Sequence, residues 1–198
     1  MKLRAAITFM ALLLLASAVW AADGEATEND NRILALALKR SYKNGRYTVV
    51  EPKTGFLHPF ESDAKELEQD KQYITESFRA NDAGIAKLAD QFFERNKKPA
   101  PLTLKSSPQD GYVIDFDGKY AKYFHGKGGG GWEKWYKENP KAHGMTQVSL
   151  PAYDPKTGLV LIYIGTQSHW LAGAGFVILY KYENGKLVEI KREMMWIS

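Results

Sequence analysis

The chain has 198 residues, 44% of them hydrophobic and 25% charged, with no cysteine and 27 basic against 23 acidic side chains, a net charge of +4. These values exclude disulfide staples, a thiol nucleophile and thiolate metal sites. A balance this small and mixed offers no clustered basic face for nucleic acid.

The first element is a leader. Lys2 and Arg4 form a positive start, Ile7 to Val19 is an apolar run, and Ala18, Ala21 and Ala22 supply small residues for cleavage. That three-part layout is a signal peptide over residues 1–22, cut after Ala21 or Ala22. The run is too short for a membrane span, which needs about 20 residues, and no later segment approaches that length. Cleavage would remove Lys2 and Arg4, leaving 25 basic against 23 acidic residues and a charge of +2. Residues 23–198 are long enough for a single domain with its own core. The expected location is periplasmic or extracellular, with no membrane span after cleavage.

Ile33 to Tyr42 reads as a helix, with Asp30 as its cap and Gly45 ending it. Tyr47 to Val50 reads as a short strand before Pro52. A second helix opens at Ser62-Asp63, with Glu66 placed as in a capping box. Its apolar face is thin (Leu67, Ile74, Phe78), which predicts a surface helix. A third, capped by Asn81-Asp82, carries Ile85, Leu88, Ala89, Phe92 and Phe93 at core-facing spacing and stops before Pro99.

Strand texture begins beyond Leu102. Tyr112 to Phe116 is one candidate. The glycine-rich stretch Gly126 to Gly131 leads to a short helix, Trp132 to Glu138, stopped by Pro140. Gln147 to Tyr153 and Leu159 to Ile164 flank a turn signal, Asp154-Pro155-Lys156-Thr157-Gly158. Leu159 to Ile164 is apolar on both faces, which predicts a central strand. Phe176 to Tyr182 and Leu187 to Ile197 flank Asn184-Gly185, which suits a type I′ hairpin. In that register Tyr182 faces Leu187 and Leu179 faces Ile190. Val177, Leu179, Val188 and Ile190 then form a core face, opposite a wet face with Glu189 and Lys191. Helices first, then antiparallel hairpins, predict an α+β fold with the N-terminal helices packed on one face of a C-terminal antiparallel sheet.

From about Leu88 to the end the chain resembles a family of small exported bacterial proteins. Asp90-Gln91-Phe92-Phe93-Glu94-Arg95-Asn96 before Pro101-Leu102 is similar to that family's "dF..kN" helix end. Trp132-x-x-Trp135-Tyr136, Pro140 and Gly144 resemble its "W..F...yP...G" segment. Val148-Ser149-Leu150 leads into its central hairpin. Gly173-x-Gly175 before Val177-Ile178-Leu179 resembles "G.G…lL". Asn184-Gly185-Lys186 with Met195-Trp196-Ile197-Ser198 resembles "nGkW…WiS". Family members often carry two cysteines in the loop that here reads Gln167-Ser168-His169-Trp170-Leu171. A tryptophan is usual where Leu187 stands. The resemblance implies a fold and an exported location and no catalytic residues.

The residues that could carry chemistry are few. Asp115 and Asp117, two apart in a strand, would point to one side. Such a pair can serve calcium or acid–base work, but alternation against Ile114 and Phe116 explains the spacing as a solvated face. Gly126 to Gly131 is no phosphate loop, since Lys127 is followed by Gly128 and no strand–GxxxxGK(S/T)–helix unit is present. His58, His125, His143 and His169 have no metal-ligand spacing, and no serine stands in a nucleophile elbow. Trp132, Trp135 and Tyr136 share a helix face, which reads as core.

Trp170 differs, being an aromatic in a loop beside His169. The candidate contact surface is therefore the loop Gln167 to Gly175 with His169 and Trp170, joined by the glycine-rich loop around His125. Gly173 and Gly175 would let a partner approach the backbone. The competing account makes Trp170 a lid over the core. The expected function is an exported binding or interaction domain without cofactor or metal, its partner an unknown protein or an envelope glycan. An inhibitor or immunity-type partner protein and a hydrolase of envelope material are the alternatives.

Overall fold

The computed structural model describes residues 26–39, 43–56, 64–79, 84–125 and 131–198. The leader over residues 1–22, the caps at Ser62-Asp63 and Asn81-Asp82, His58 and residues 126–130 of the glycine-rich loop lie outside this set. The described helices are α1 (Glu28–Leu38), α2 (Ala64–Phe78), α3 (Ile85–Arg95) and α4 (Gly131–Glu138). The strands are β1 (Tyr47–Val50), β2 (Tyr112–Ile114), β3 (Ala142–Val148), β4 (Ala152–Asp154), β5 (Leu159–His169), β6 (Ala172–Glu183) and β7 (Lys186–Ile197). The fold is α+β, with helices towards the N-terminus and a mostly antiparallel sheet towards the C-terminus.

The sheet order is β2-β1-β3-β5-β6-β7, with β4 paired to β5. The long hairpins follow the turn chemistry of the sequence. Asn184 and Gly185 have φ of 53° and 72°, the type I′ geometry, and Tyr182 faces Leu187. Asp154 holds the β4–β5 turn by accepting from Lys156 N at 3.0 Å and Thr157 Oγ1 at 2.8 Å. Strand β1 departs from the hairpin pattern: it runs parallel to both neighbours, β2 and β3.

The helices occupy both faces of the sheet, not one. Val160, Ile162 and Ile164 of β5 pack with Ile33, Leu34 and Leu38 of α1. Leu159, Leu161 and Tyr163 of the same strand pack with Ile74 and Phe78 of α2 and with Ile85, Leu88 and Phe92 of α3. Side chains alternate along a strand, so these sets lie on opposite sides. Helix α2 is thus a packed layer, since Ile74 and Phe78 are fully buried despite the thin apolar stripe. Helix α4 seats Trp132 and Trp135 on Tyr47, Val49 and Tyr120 at the β1 end of the α2–α3 face.

Helix α1 starts at Thr27, not Asp30. Thr27 is the N-cap, and Asp30 completes a capping box as its third residue. Asp30 is almost fully buried and binds Arg95 through two contacts of 2.6 and 2.9 Å. Arg95 also donates to Pro151 O. This buried pair ties the start of α1 to the end of α3, and with it the two helical layers.

The β7 register differs from strict alternation. Bulges fall between the Leu179/Tyr180 and the Gly175/Phe176 pairs, so Leu179 faces Lys191 instead of Ile190. Each bulge adds one residue and resets the facing of those beyond it. Ile190, the extra residue of the first bulge, is 44% exposed, and Val188, before the bulge and opposite Lys181, is 59% exposed, so neither is core. Lys191 leaves the wet face, donates to Ser77 O of α2 at 2.6 Å and lies over the Phe78 ring.

Candidate functional site

The α2–α3 face is closed at its upper end by one side chain. Trp196 of β7 lies flat on Gly165, Gly173 and Gly175 of the two neighbouring strands. A Cβ on Gly175 would stand 2.1 Å from Trp196 Nε1, and one on Gly173 2.9 Å from Trp196 Cζ3. The indole N–H donates to Tyr163 Oη at 2.7 Å. The Gly173-x-Gly175 segment and the closing Trp196-Ile197-Ser198 are therefore one structural unit. The close backbone approach expected for a partner is occupied by the chain's own tryptophan.

The opposite face is different. Helix α1 covers only part of it, leaving an open trough of about 600 Å³ over β5, β6 and β7. Its floor is apolar, with Ile164, Phe176 and Ile178, and its polar side chains include His143, Thr166, Ser168, Tyr180, Glu189, Arg192 and Ser198. Arg192 clasps Glu189 through two bonds of 2.6 Å, and its guanidinium lies over the Phe176 ring at 5.5 Å. The pairing holds the Glu189 carboxyl below its ordinary pKa and raises the guanidinium further. Thr166 continues a hydroxyl chain through Thr146, at 2.9 Å, to Thr48 at 2.6 Å. The trough thus presents a fixed donor–acceptor pair, an aromatic ring and a row of hydroxyls on an apolar bed. That combination orients a ligand with one apolar and one polar side.

Two of the three candidate residues sit at the top of the sheet. His169 and Trp170 form the tip of the β5–β6 hairpin, both exposed, with Trp170 at 52%. Trp170 is therefore no lid over the core. Gln167 braces the tip, donating from Nε2 to His169 O at 2.6 Å and Ser198 Oγ at 3.2 Å. His125 is also exposed, after the turn at 121–124 whose Phe124 packs on Trp132 and Trp135 of α4. Helix α4 reaches the hairpin in turn through Tyr136, whose hydroxyl donates to Ser168 O at 2.6 Å. The connection shown between His125 and the hairpin runs through this helix.

The aspartate pair is split. Strand β2 ends at Ile114, and Asp115 is buried, accepting from Tyr120 N at 3.1 Å and Ala121 N at 2.8 Å. It closes a turn and is no solvated residue, whereas Asp117 and Phe116 are exposed. Elsewhere, burial raises the Glu51 carboxyl, partly offset by the bond from Gln147. Among the described residues no group of three or more His, Asp or Glu is arranged to hold a metal ion.

The trough residues Phe176, Glu189 and Arg192 were not singled out in the sequence. The facing of Arg192 depends on the bulge between Leu179 and Tyr180, which no local signal marks, whereas alternation alone sets Phe176 and Glu189. No protein family, no curated protein and no solved structure matches this chain.

Proposed function

We propose that this chain is an exported binding domain whose ligand lies in the trough over β5, β6 and β7, and that the ligand is an envelope glycan. The observation that carries the reading is the Arg192–Glu189 pair fixed beside Phe176 on the open face. An aromatic ring suits the apolar face of a sugar. A clasped arginine and carboxylate offer donors and acceptors to its hydroxyls without further ordering cost. The leader read in residues 1–22 would bring the chain to where such glycans occur.

The test is titration with a soluble oligosaccharide of β-1,4-linked N-acetylhexosamines, followed by backbone amide NMR shifts. Shifts are expected in residues 164–178 and 187–198. Phe176→Ala and Arg192→Ala should each weaken binding by about tenfold, the worth of one well-placed contact. No shifts, or shifts confined to the α2–α3 face, would remove the assignment.

A further inference from the structure

The upper end of the sheet combines two features that extend beyond the trough, with only Ile197 belonging to both. The first is a protruding apolar tip. Leu171 is 84% exposed, Trp170 52% and Ile197 71%. Ile197 faces Ala174 across the β6–β7 ladder, and Ser198 N donates to Gly173 O at 3.0 Å, so Ile197 stands beside the hairpin. Trp170 and Leu171, exposed at the hairpin end, line no part of the trough.

The second feature is a collar of cations at the same end. Arg46 precedes β1, Lys137 lies in the last turn of α4, and Lys141 precedes β3, all exposed. Tyr47 N donates to Lys141 O at 3.0 Å, which sets the starts of β1 and β3 side by side. Tyr136, beside Lys137, donates to both His143 O and Ser168 O, which places α4's end against the hairpin. The nearby acid Glu138 is engaged by the Tyr123 hydroxyl. None of the three cations is in an ion pair among the described residues.

We infer that this end docks on an anionic lipid bilayer, with Trp170, Leu171 and Ile197 entering the headgroup boundary and Arg46, Lys137 and Lys141 meeting lipid phosphates. Tryptophan favours that boundary, where an apolar body and a polar N–H are both accommodated. An apolar tip beside three exposed cations, with the acid Glu138 among them, matches an anionic surface in chemistry. None of the described helices is long and apolar enough to cross a membrane, so the contact is peripheral. Ile197 also lines the upper end of the trough, whereas Trp170, Leu171 and the three cations lie outside it.

The experiment is flotation of the chain processed at its leader, residues 23–198, with phosphatidylcholine vesicles, with or without about 30% phosphatidylglycerol as the anionic lipid. An uncleaved apolar leader would float every variant on both kinds of vesicle and mask the contact. Leu171→Asp should reduce partitioning into anionic vesicles by at least roughly tenfold, as expected for a charge placed in the boundary layer. Lys137→Glu with Lys141→Glu should reduce it by roughly fivefold or more per site, the worth of one cation near an anionic surface, and only where phosphatidylglycerol is present. Brominated lipid should quench the emission of the parent chain more than that of Trp170→Phe. Partitioning of Leu171→Asp within about twofold of the parent, with an unchanged thermal melt, would overturn the inference. So would equal quenching of the parent and Trp170→Phe, equal flotation with neutral vesicles, or no flotation of the parent chain.

Discussion

The two faces of β6 are built from neighbouring residues yet answer to different demands. On the α2–α3 side, Gly173, Gly175, Val177 and Leu179 lie under Trp196 and two helices. On the α1 side, Ala174, Phe176 and Ile178 line an open trough. One strand therefore carries a closed face, where any added atom meets another, and an open face with room for a ligand. The comparison teaches that a glycine can mark an intramolecular contact while its alanine neighbour marks an accessible one.

The sharpest way to break this comparison is a pair of adjacent substitutions. Gly175→Ala puts a Cβ where Trp196 Nε1 stands, and it should cost about 2–3 kcal/mol, the upper range for overpacking. Ala174→Val, on the trough side and in a strand that favours β-branched residues, should stay within about 0.5 kcal/mol. Urea melts of the two variants measure the difference, and equal midpoints would end the distinction between the faces.

A smaller contrast uses β7. Lys191→Ala loses the bond to Ser77 O and the contact over Phe78, and it should cost about 1 kcal/mol. Arg192→Ala, one residue on and facing the trough, loses a solvated pair with Glu189 and should cost about 0.5 kcal/mol or less. Thermal melts that reverse this order would place the bulge elsewhere.

The smallest effect concerns pH. Burial raises the Glu51 carboxyl above its ordinary value in the folded chain. The folded state therefore holds that proton more tightly than the unfolded state does. Its contribution favours folding below the unfolded pKa and is lost as pH rises through the folded one. Glu51→Gln should raise the melting temperature at pH 7, and the gain should shrink as pH falls to the ordinary carboxylate range. A gain that persists unchanged at pH 4 would assign it to packing.

Much of the fold was legible where local chemistry decides it. Asn184-Gly185 specified its turn, Asp154 to Gly158 specified another, and the spacing of Ile85, Leu88, Ala89 and Phe92 specified the buried side of α3. What escaped the sequence reading lay in contacts between distant segments. Nothing near Tyr47 announces parallel pairing with β2 and β3. Nothing near Leu187 announces the bulges that carry Lys191 inward and leave Ile190 outside. Asp115 reads as part of an alternating strand only until its carboxylate is seen closing the turn at Tyr120. Trp170 stood out as a loop aromatic, and its exposure agrees with that reading. The trough could not be read, because it exists where α1 stops covering the sheet.

The position of β1 carries a kinetic consequence. Thr48 lies against Tyr112 and Val49 against Met145, so both neighbours of this strand come from far along the chain. Strands β5, β6 and β7 need only two tight turns to meet. Closing the long loops around β1 costs chain entropy before any pairing repays it. The three-stranded C-terminal meander is thus the natural nucleus, and β1 is captured late, into a slot between two strands synthesised after it. A chain emerging from its N-terminus cannot seat its first strand until nearly three quarters of its length has appeared, the position of Met145 among 198 residues. Until then, Tyr47 to Val50 remains an apolar segment without its partners.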